Sequence, residues 1–185
     1  AWHAGTDLAE AVLLHVNTTV DDPDTENPIV GSLRWALRTT TLADGVTPIT
    51  GATVIAFDVS GECELYEIVR LMRPNTFIAG QTAPVAAGGS GGFTIKGRPL
   101  KIEASNCRVE HIRSRPGTVT NPGVADTQDG ITIDVTGGVN DIYLKNVSVS
   151  HTIDELLSSR PGASGAQNRR ISVIDCLLAE PLKNP

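Results

Sequence analysis

The stretch that decides the fold is Cys107-Arg108-Val109-Glu110-His111-Ile112-Arg113-Ser114. Cys107 and Val109 alternate with polar residues, the alternation slips by one position, and it resumes at Ile112 and Ser114. Period-two alternation marks a strand with one buried face, and a single extra residue is a bend that lets both arms keep that face inward. The template recurs as Ile142-x-Leu144-x-x-Val147-x-Val149 and as Ile171-x-Val173-x-x-Cys176-x-Leu178. A weaker copy is Thr76-x-Ile78-x-x-Gln81-x-Ala83. The copies start at positions 76, 107, 142 and 171, so they lie 31, 35 and 29 residues apart.

A repeat of about 30 residues carrying two or three short strands is one coil of a stacked solenoid. The expected fold is therefore all-β, a right-handed parallel β-helix. An antiparallel sandwich has similar strand spacing, but it has no reason to repeat an eight-residue template with the same internal break. An asparagine lies near each copy start, at Asn75, Asn106, Asn140 and Asn168. Asparagine suits a corner that needs left-handed backbone or a side-chain ladder.

Working outward, the β-like runs are Thr53–Val59, Thr76–Ala79, Phe93–Ile95, Leu100–Ile102, Cys107–Ile112, Ile131–Val135, Ile142–Val149 and Ile171–Leu178. Gly88–Gly92, Arg115-Pro116-Gly117, Gly137-Gly138 and Arg160-Pro161-Gly162 supply turns between them. One domain is expected over 1–185, with coils from 52 onward. Residues 1–30 read as irregular, and Thr18–Pro28 as an exposed acidic loop. Across 31–40, Ser32 can cap a helix whose Leu33, Ala36 and Leu37 share one face. A short helix there would cover the open end of the stack, with Trp35 packing on the cap.

Composition narrows the function. Aromatics are only 4% of the 185 residues, so the core must be built from Val, Ile, Leu and Ala. Trp2, Trp35, Tyr66 and Tyr143 are too few and scattered for a neutral sugar held by ring stacking. The net charge of −6 argues against nucleic acid. No apolar run is long enough for a membrane span, and no basic segment followed by an apolar one reads as a signal peptide. Cys63, Cys107 and Cys176 form neither a metal pattern nor a disulfide framework, and the last two read as small core residues.

Several segments together resemble one family. Gly31-Ser32-Leu33-Arg34-Trp35-Ala36-Leu37 is similar to the GSLR-x-AL signature of pectate-lyase-like proteins, and Ile78-Ala79-Gly80-Gln81-Thr82-Ala83-Pro84 to their IAGQTAPG segment. Ala104-Ser105-Asn106 with Val109 to Gly117 resembles SNVIVRHIRxRPG, and Asp129-Gly130-Ile131-Thr132-Ile133 followed by Val147 to Glu155 resembles DxIxI followed by SVSWxxDE. Cys176 to Glu180 resembles the next strand, ending IAE. The matches keep family order from residue 31 to 180.

The resemblance implies calcium-assisted β-elimination on an acidic polysaccharide such as polygalacturonate, in a secreted or extracellular setting. Calcium neutralises the substrate carboxylate and acidifies the proton on C5, and an arginine removes that proton. By this resemblance Asp129, Asp154 and Glu155 are the metal ligands, since oxygen donors suit Ca²⁺. Acidic residues at strand ends are also ordinary solvated groups.

The chain departs from the pattern at His151, where the family has tryptophan, and at Lys145-Asn146, where it has an acidic or histidine pair. Lys145 and His151 become candidates for glycan contact, with Arg113 and Arg115, which alternate with inward Ile112 and Ser114. Lys101 and His111 could join those arginines in a basic patch. The family's catalytic arginine lies several coils further on and has no match here. Arg169 and Arg170 read as solvated turn residues. The alternative expectation is a non-catalytic β-helix, a glycan-binding or structural module of a virion, fibre or cell surface, assembling through the open end of the stack.

Overall fold

A computed structural model describes residues 10–24, 26–85, 91–117, 129–134, 138–160 and 165–182. Trp2, Gly88, Val135, Gly137 and Pro161-Gly162 lie outside the described residues.

The chain winds through three parallel sheets in turn. Sheet A holds β1 (Val12–Val16), β2 (Thr53–Phe57), β5 (Thr76–Ala79), β8 (Cys107–Glu110), β11 (Asn140–Lys145) and β14 (Arg169–Ile174). Sheet B holds β4 (Val69–Leu71), β7 (Leu100–Ile102), β10 (Ile131–Asp134) and β13 (Leu157–Arg160). Sheet C holds β3 (Gly61–Glu64), β6 (Phe93–Lys96), β9 (Ile112–Arg115), β12 (Ser148–Val149) and β15 (Leu177–Leu178). Each strand pairs with the equivalent strand of the next coil, all of them parallel. This is an all-β parallel β-helix.

The sequence repeat is the register of sheet A. Phe77 pairs with Arg108, Cys107 with Ile142, and Ile142 with Ile171. Inward residues consequently form columns through the coils. One runs Leu14, Ile55, Ile78, Val109, Leu144, Val173. Its first five members are at most 8% exposed, and Val173 on the end strand β14 is 43% exposed. Cys63, Ile95, Ser114, Val149 and Leu178 make the column of sheet C. Full burial of each Ile, Leu or Val contributes about 1.5–3 kcal/mol, so these columns hold the stack together.

The internal break of the template is a single left-handed residue between sheets A and C: His111, Asn146 or Asp175, with φ of 53°, 52° and 51°. It splits the runs starting at Cys107, Ile142 and Ile171 into two strands each. In the weaker copy that place is Gly80, where a Cβ would lie 2.5 Å from the carbonyl oxygens of Glu110 and His111 in the next coil. A second left-handed column lies where the chain enters sheet A, just before β5 and β8 at Asn75 and Asn106 and at the second residue of β11 and β14 at Asp141 and Arg170. Asn106 Nδ2 donates to Asn75 Oδ1 at 2.6 Å, a two-step ladder. Asn140 and Asn168 do not take that corner role. Asn168 instead accepts from the Val139 amide through Oδ1, and Asp141 and Arg170 turn the chain.

Further findings correct the sequence reading. The stretch 1–30 is not wholly irregular, because β1 pairs with β2 and opens sheet A. The loop 18–28 is not wholly exposed, because Asp21 is buried. The short strands β3, β4 and β13 were not visible as apolar runs, since each buries few residues. Cys107 is fully buried, whereas Cys176 is only partly so.

The helix α1 (Leu33–Arg38) forms as expected, with the Ser32 hydroxyl accepting from the Trp35 amide at 3.1 Å. Leu33, Ala36 and Leu37 join the core, and Trp35 packs against it. The helix packs on β1 and β4, the end strands of sheets A and B. It therefore covers the end of the stack, as predicted.

Candidate functional site

Asp129 immediately precedes Gly130 and β10. Ligand atoms of Asp129, Asp154 and Glu155 lie within 4.8 Å of one another. The approach depends on local packing. Gly130 leaves no room for a side chain: a Cβ would sit 2.0 Å from Val149 Cγ1 and 2.6 Å from the Leu156 carbonyl oxygen. The Gly130 amide donates to the Glu155 carbonyl at 2.9 Å, and Thr152 Oγ1 donates to the Asp154 carbonyl at 3.1 Å. The first bond ties the corner after β12 to the start of β10 and the second holds that corner's own turn, so the acids from two coils face each other.

Asp129 is 2% exposed, whereas Asp154 and Glu155 are exposed. Its Oδ2 accepts from Thr132 Oγ1 at 2.9 Å and from the Ser158 hydroxyl. Its Oδ1 is buried with no partner among the described residues. Burial pushes the Asp129 carboxyl above the ordinary carboxylate range; Glu155 adds in the same direction, and the bonds from Ser158 and Thr132 pull it back. A buried carboxylate oxygen without a donor is costly, and a cation relieves that cost. The set is all oxygen, part fixed and part mobile, so these residues fit a hard divalent cation such as Ca²⁺.

The whole stack can now be compared with solved structures. Jun a 1, the major allergen from cedar pollen, superimposes with a TM-score of 0.56 over 83% of this chain and 42% of its own, at 17% identity. This is a pectate-lyase-like fold. The chain spans less than half the length of that neighbour. No family model matches the chain, and no curated protein matches its sequence.

On the pectate-lyase-like coil, the basic candidates are spread out. Arg113 and Arg115 are on β9 of sheet C. Arg113 donates to the Gly91 carbonyl and to Thr94 Oγ1, the latter at 3.4 Å. Arg115 Nη1 donates to the Ser148 carbonyl at 2.7 Å, and Nη2 to the Ser148 hydroxyl at 2.7 Å. Both arginines thus bind neighbouring backbone. Lys145 ends β11 on sheet A, beside Glu110. His111 is a corner residue bonded to Asn146 at 3.0 Å. His151 is left-handed (φ 59°) at the corner leading to Asp154, with Nδ1 2.6 Å from Ser150 Oγ. Lys101 lies on sheet B and pairs with Glu103 at 3.1 Å, so it shares no sheet with Arg113 and Arg115.

Sequence reasoning missed Thr132, Ser158 and Arg160. Thr132 and Ser158 are partners in the β10–β13 register. That pairing was hidden because sheet B advances 26 residues here while sheet A advances 29. Arg160 Nη2 lies 4.0 Å from Asp129 Oδ2 and 3.8 Å from Glu155 Oε2. Among the described residues it is the arginine in ion-pair reach of the cluster. Arg170 pairs with Asp141 at 2.6 Å on sheet A, as an exposed corner contact.

Proposed function

We propose that the chain is the pectate-lyase-like β-helix of an extracellular protein acting on an acidic polysaccharide, with Ca²⁺ as cofactor. One observation carries the reading: three carboxylates from successive coils converge, and one oxygen of the buried member, Asp129 Oδ1, has no hydrogen-bond donor among the described residues. Asp129, Asp154 and Glu155 would hold the cation. Bound there, Ca²⁺ supplies a positive field that draws a uronate carboxylate to the protein and acidifies its C5 proton. Thr132 and Ser158 orient Asp129 by donating to one oxygen, leaving the other for the metal. Arg160 offsets part of the negative charge of Asp129 and Glu155 and can turn outward to the substrate, being half exposed. In the elimination, the C5 proton leaves to a base, the C4–C5 double bond forms, and the C4–O bond breaks.

The test is the ultraviolet absorbance of unsaturated uronate, with polygalacturonate at alkaline pH, with and without Ca²⁺. A calcium-dependent rise abolished by Asp129→Asn supports lyase activity. No rise, with calcium-dependent binding retained, shifts the reading to a glycan-binding or structural module of a virion, fibre or cell surface. Self-assembly through the end strands β14 and β15 belongs to the second reading.

A further inference from the structure

We infer that the cavity between α1 and β4 is a carboxylate-binding subsite for the acidic glycan, filled independently of any divalent cation. The inference rests on the acidic-glycan reading above. The cavity holds about 570 Å³, within the range of small-ligand sites. Its walls combine apolar residues such as Leu37, Ile49 and Val69 with four arginines.

Three of those arginines are matched by carboxylates. Arg34 pairs with Asp21 at 2.6 Å, Arg38 with Glu26 at 2.9 Å and Arg70 with Glu103 at 2.6 Å. Arg73 is different. It donates to the Ala36 carbonyl at 2.9 Å and to the Thr39 carbonyl, both at the C-terminal end of α1. It has no carboxylate in ion-pair reach among the described residues, and its Nε is buried without a partner. Burial holds its pKa below the ordinary arginine value. Two carbonyl dipoles offset only part of a full positive charge. A half-buried cation in the wall of an open cavity, offset only by carbonyls, is matched by one carboxylate. Glu67 also lines the cavity, but it is exposed and gives its carbonyl to Arg34.

The position fits a polymer. Arg70 is in register with Lys101 on β7, and Lys101 with Thr132 on β10, beside Asp129. Strands stack at about 4.8 Å, so Arg70 lies about 10 Å from Thr132 along the outer face of sheet B. Thr132 is itself buried, so a uronate chain would run from the exposed acids of the cluster, Asp154 and Glu155, toward the cavity.

The experiment is calorimetric titration of trigalacturonate into the full chain in EDTA, with neutral maltotriose as control. Two variants are compared, each with its Tm. Arg73→Lys keeps the charge and loses Nε and the fork, and Thr40→Trp fills the cavity from its exposed rim. We expect the parent to bind trigalacturonate and not maltotriose, and both variants to bind roughly tenfold more weakly or worse. If Arg73→Lys lowers Tm, Thr40→Trp alone decides. No binding by the parent in EDTA, or parental affinity in Thr40→Trp, overturns the subsite. Calcium-dependent binding lost in Asp129→Asn reads the acidic cluster separately, so either idea can fail while the other stands.

Discussion

The Arg34 guanidinium lies 2.6 Å from the Asp21 carboxylate, and the two side chains are only 4% and 1% exposed. Arg34 Nε also donates to Asp21 Oδ1 at 2.8 Å, and Nη2 to the Glu67 carbonyl at 2.8 Å. The Tyr66 amide donates to the same carboxylate at 3.0 Å. This pair fastens the loop after β1, the helix α1 and the turn before β4 to one another. Removing one partner leaves a buried charge, so Asp21→Asn or Arg34→Met should cost about 3–5 kcal/mol. Urea denaturation followed by circular dichroism measures it; a loss below about 1 kcal/mol would mean the pair is not buried as described.

Calcium should stabilise the fold through Asp129. Binding to the native state alone raises Tm with ligand concentration. We expect millimolar-range Ca²⁺ to raise the Tm of the parent and to leave Asp129→Asn unmoved. In EDTA the same variant should melt at or above the parent temperature, because it removes a desolvated charge whose Oδ1 has no donor. A lower Tm in EDTA would show that Asp129 is chiefly a structural hydrogen-bond acceptor.

Gly130 sets the approach of the two coils that carry the acids. Gly130→Ala places a methyl 2.0 Å from Val149 Cγ1, so the coils must part. The expected cost is about 1–3 kcal/mol, together with a weaker calcium-induced rise in Tm. Differential scanning fluorimetry with and without Ca²⁺ reads both, and an unchanged calcium response would separate this glycine from the cluster.

The cysteines should react in order of burial. Burial pushes the Cys63 and Cys107 thiols up to about 12, so neither is ionised at mild alkaline pH in the folded protein. Cys176 is partly exposed on the end coil. A thiol-reactive chromophore at mild alkaline pH should label Cys176 promptly, and the other two only after unfolding, when their thiols regain ordinary values. Prompt labelling of all three would place Cys63 and Cys107 outside the core.

Arg108 lies between two rings, with its guanidinium carbon 4.9 Å from the centroids of both Phe77 and Tyr143. The three residues are register partners on successive strands of sheet A. Arg108→Ala should cost about 1–2 kcal/mol, and Arg108→Lys less. Equal losses for the two would assign the effect to the Glu110 contact or to packing rather than to a charge between rings.

The repeat was legible because its causes are local. Alternating Val, Ile and Leu define an inward face, and one extra residue marks a bend, so the starts at 76, 107, 142 and 171 carry the register of sheet A directly. The capping helix was legible from Ser32 and the apolar face after it. Asp129, Asp154 and Glu155 were singled out by resemblance, and their mutual approach is geometric. Strand β1 was missed because Leu13 and His15, on its outward face, make the run look irregular once its partner β2 is unknown. The corner residues Asp141 and Arg170 were missed because neighbouring asparagines are the commoner left-handed choice.

The sequence alone determined how the chain stacks, because periodicity and bends repeat in every coil. Only the tertiary structure decided which side chains meet across coils. Corners of unequal length displace one sheet's repeat from another's, so Ser158 and Arg160 reach Asp129, and Asp21 reaches Arg34, at separations no fixed period encodes.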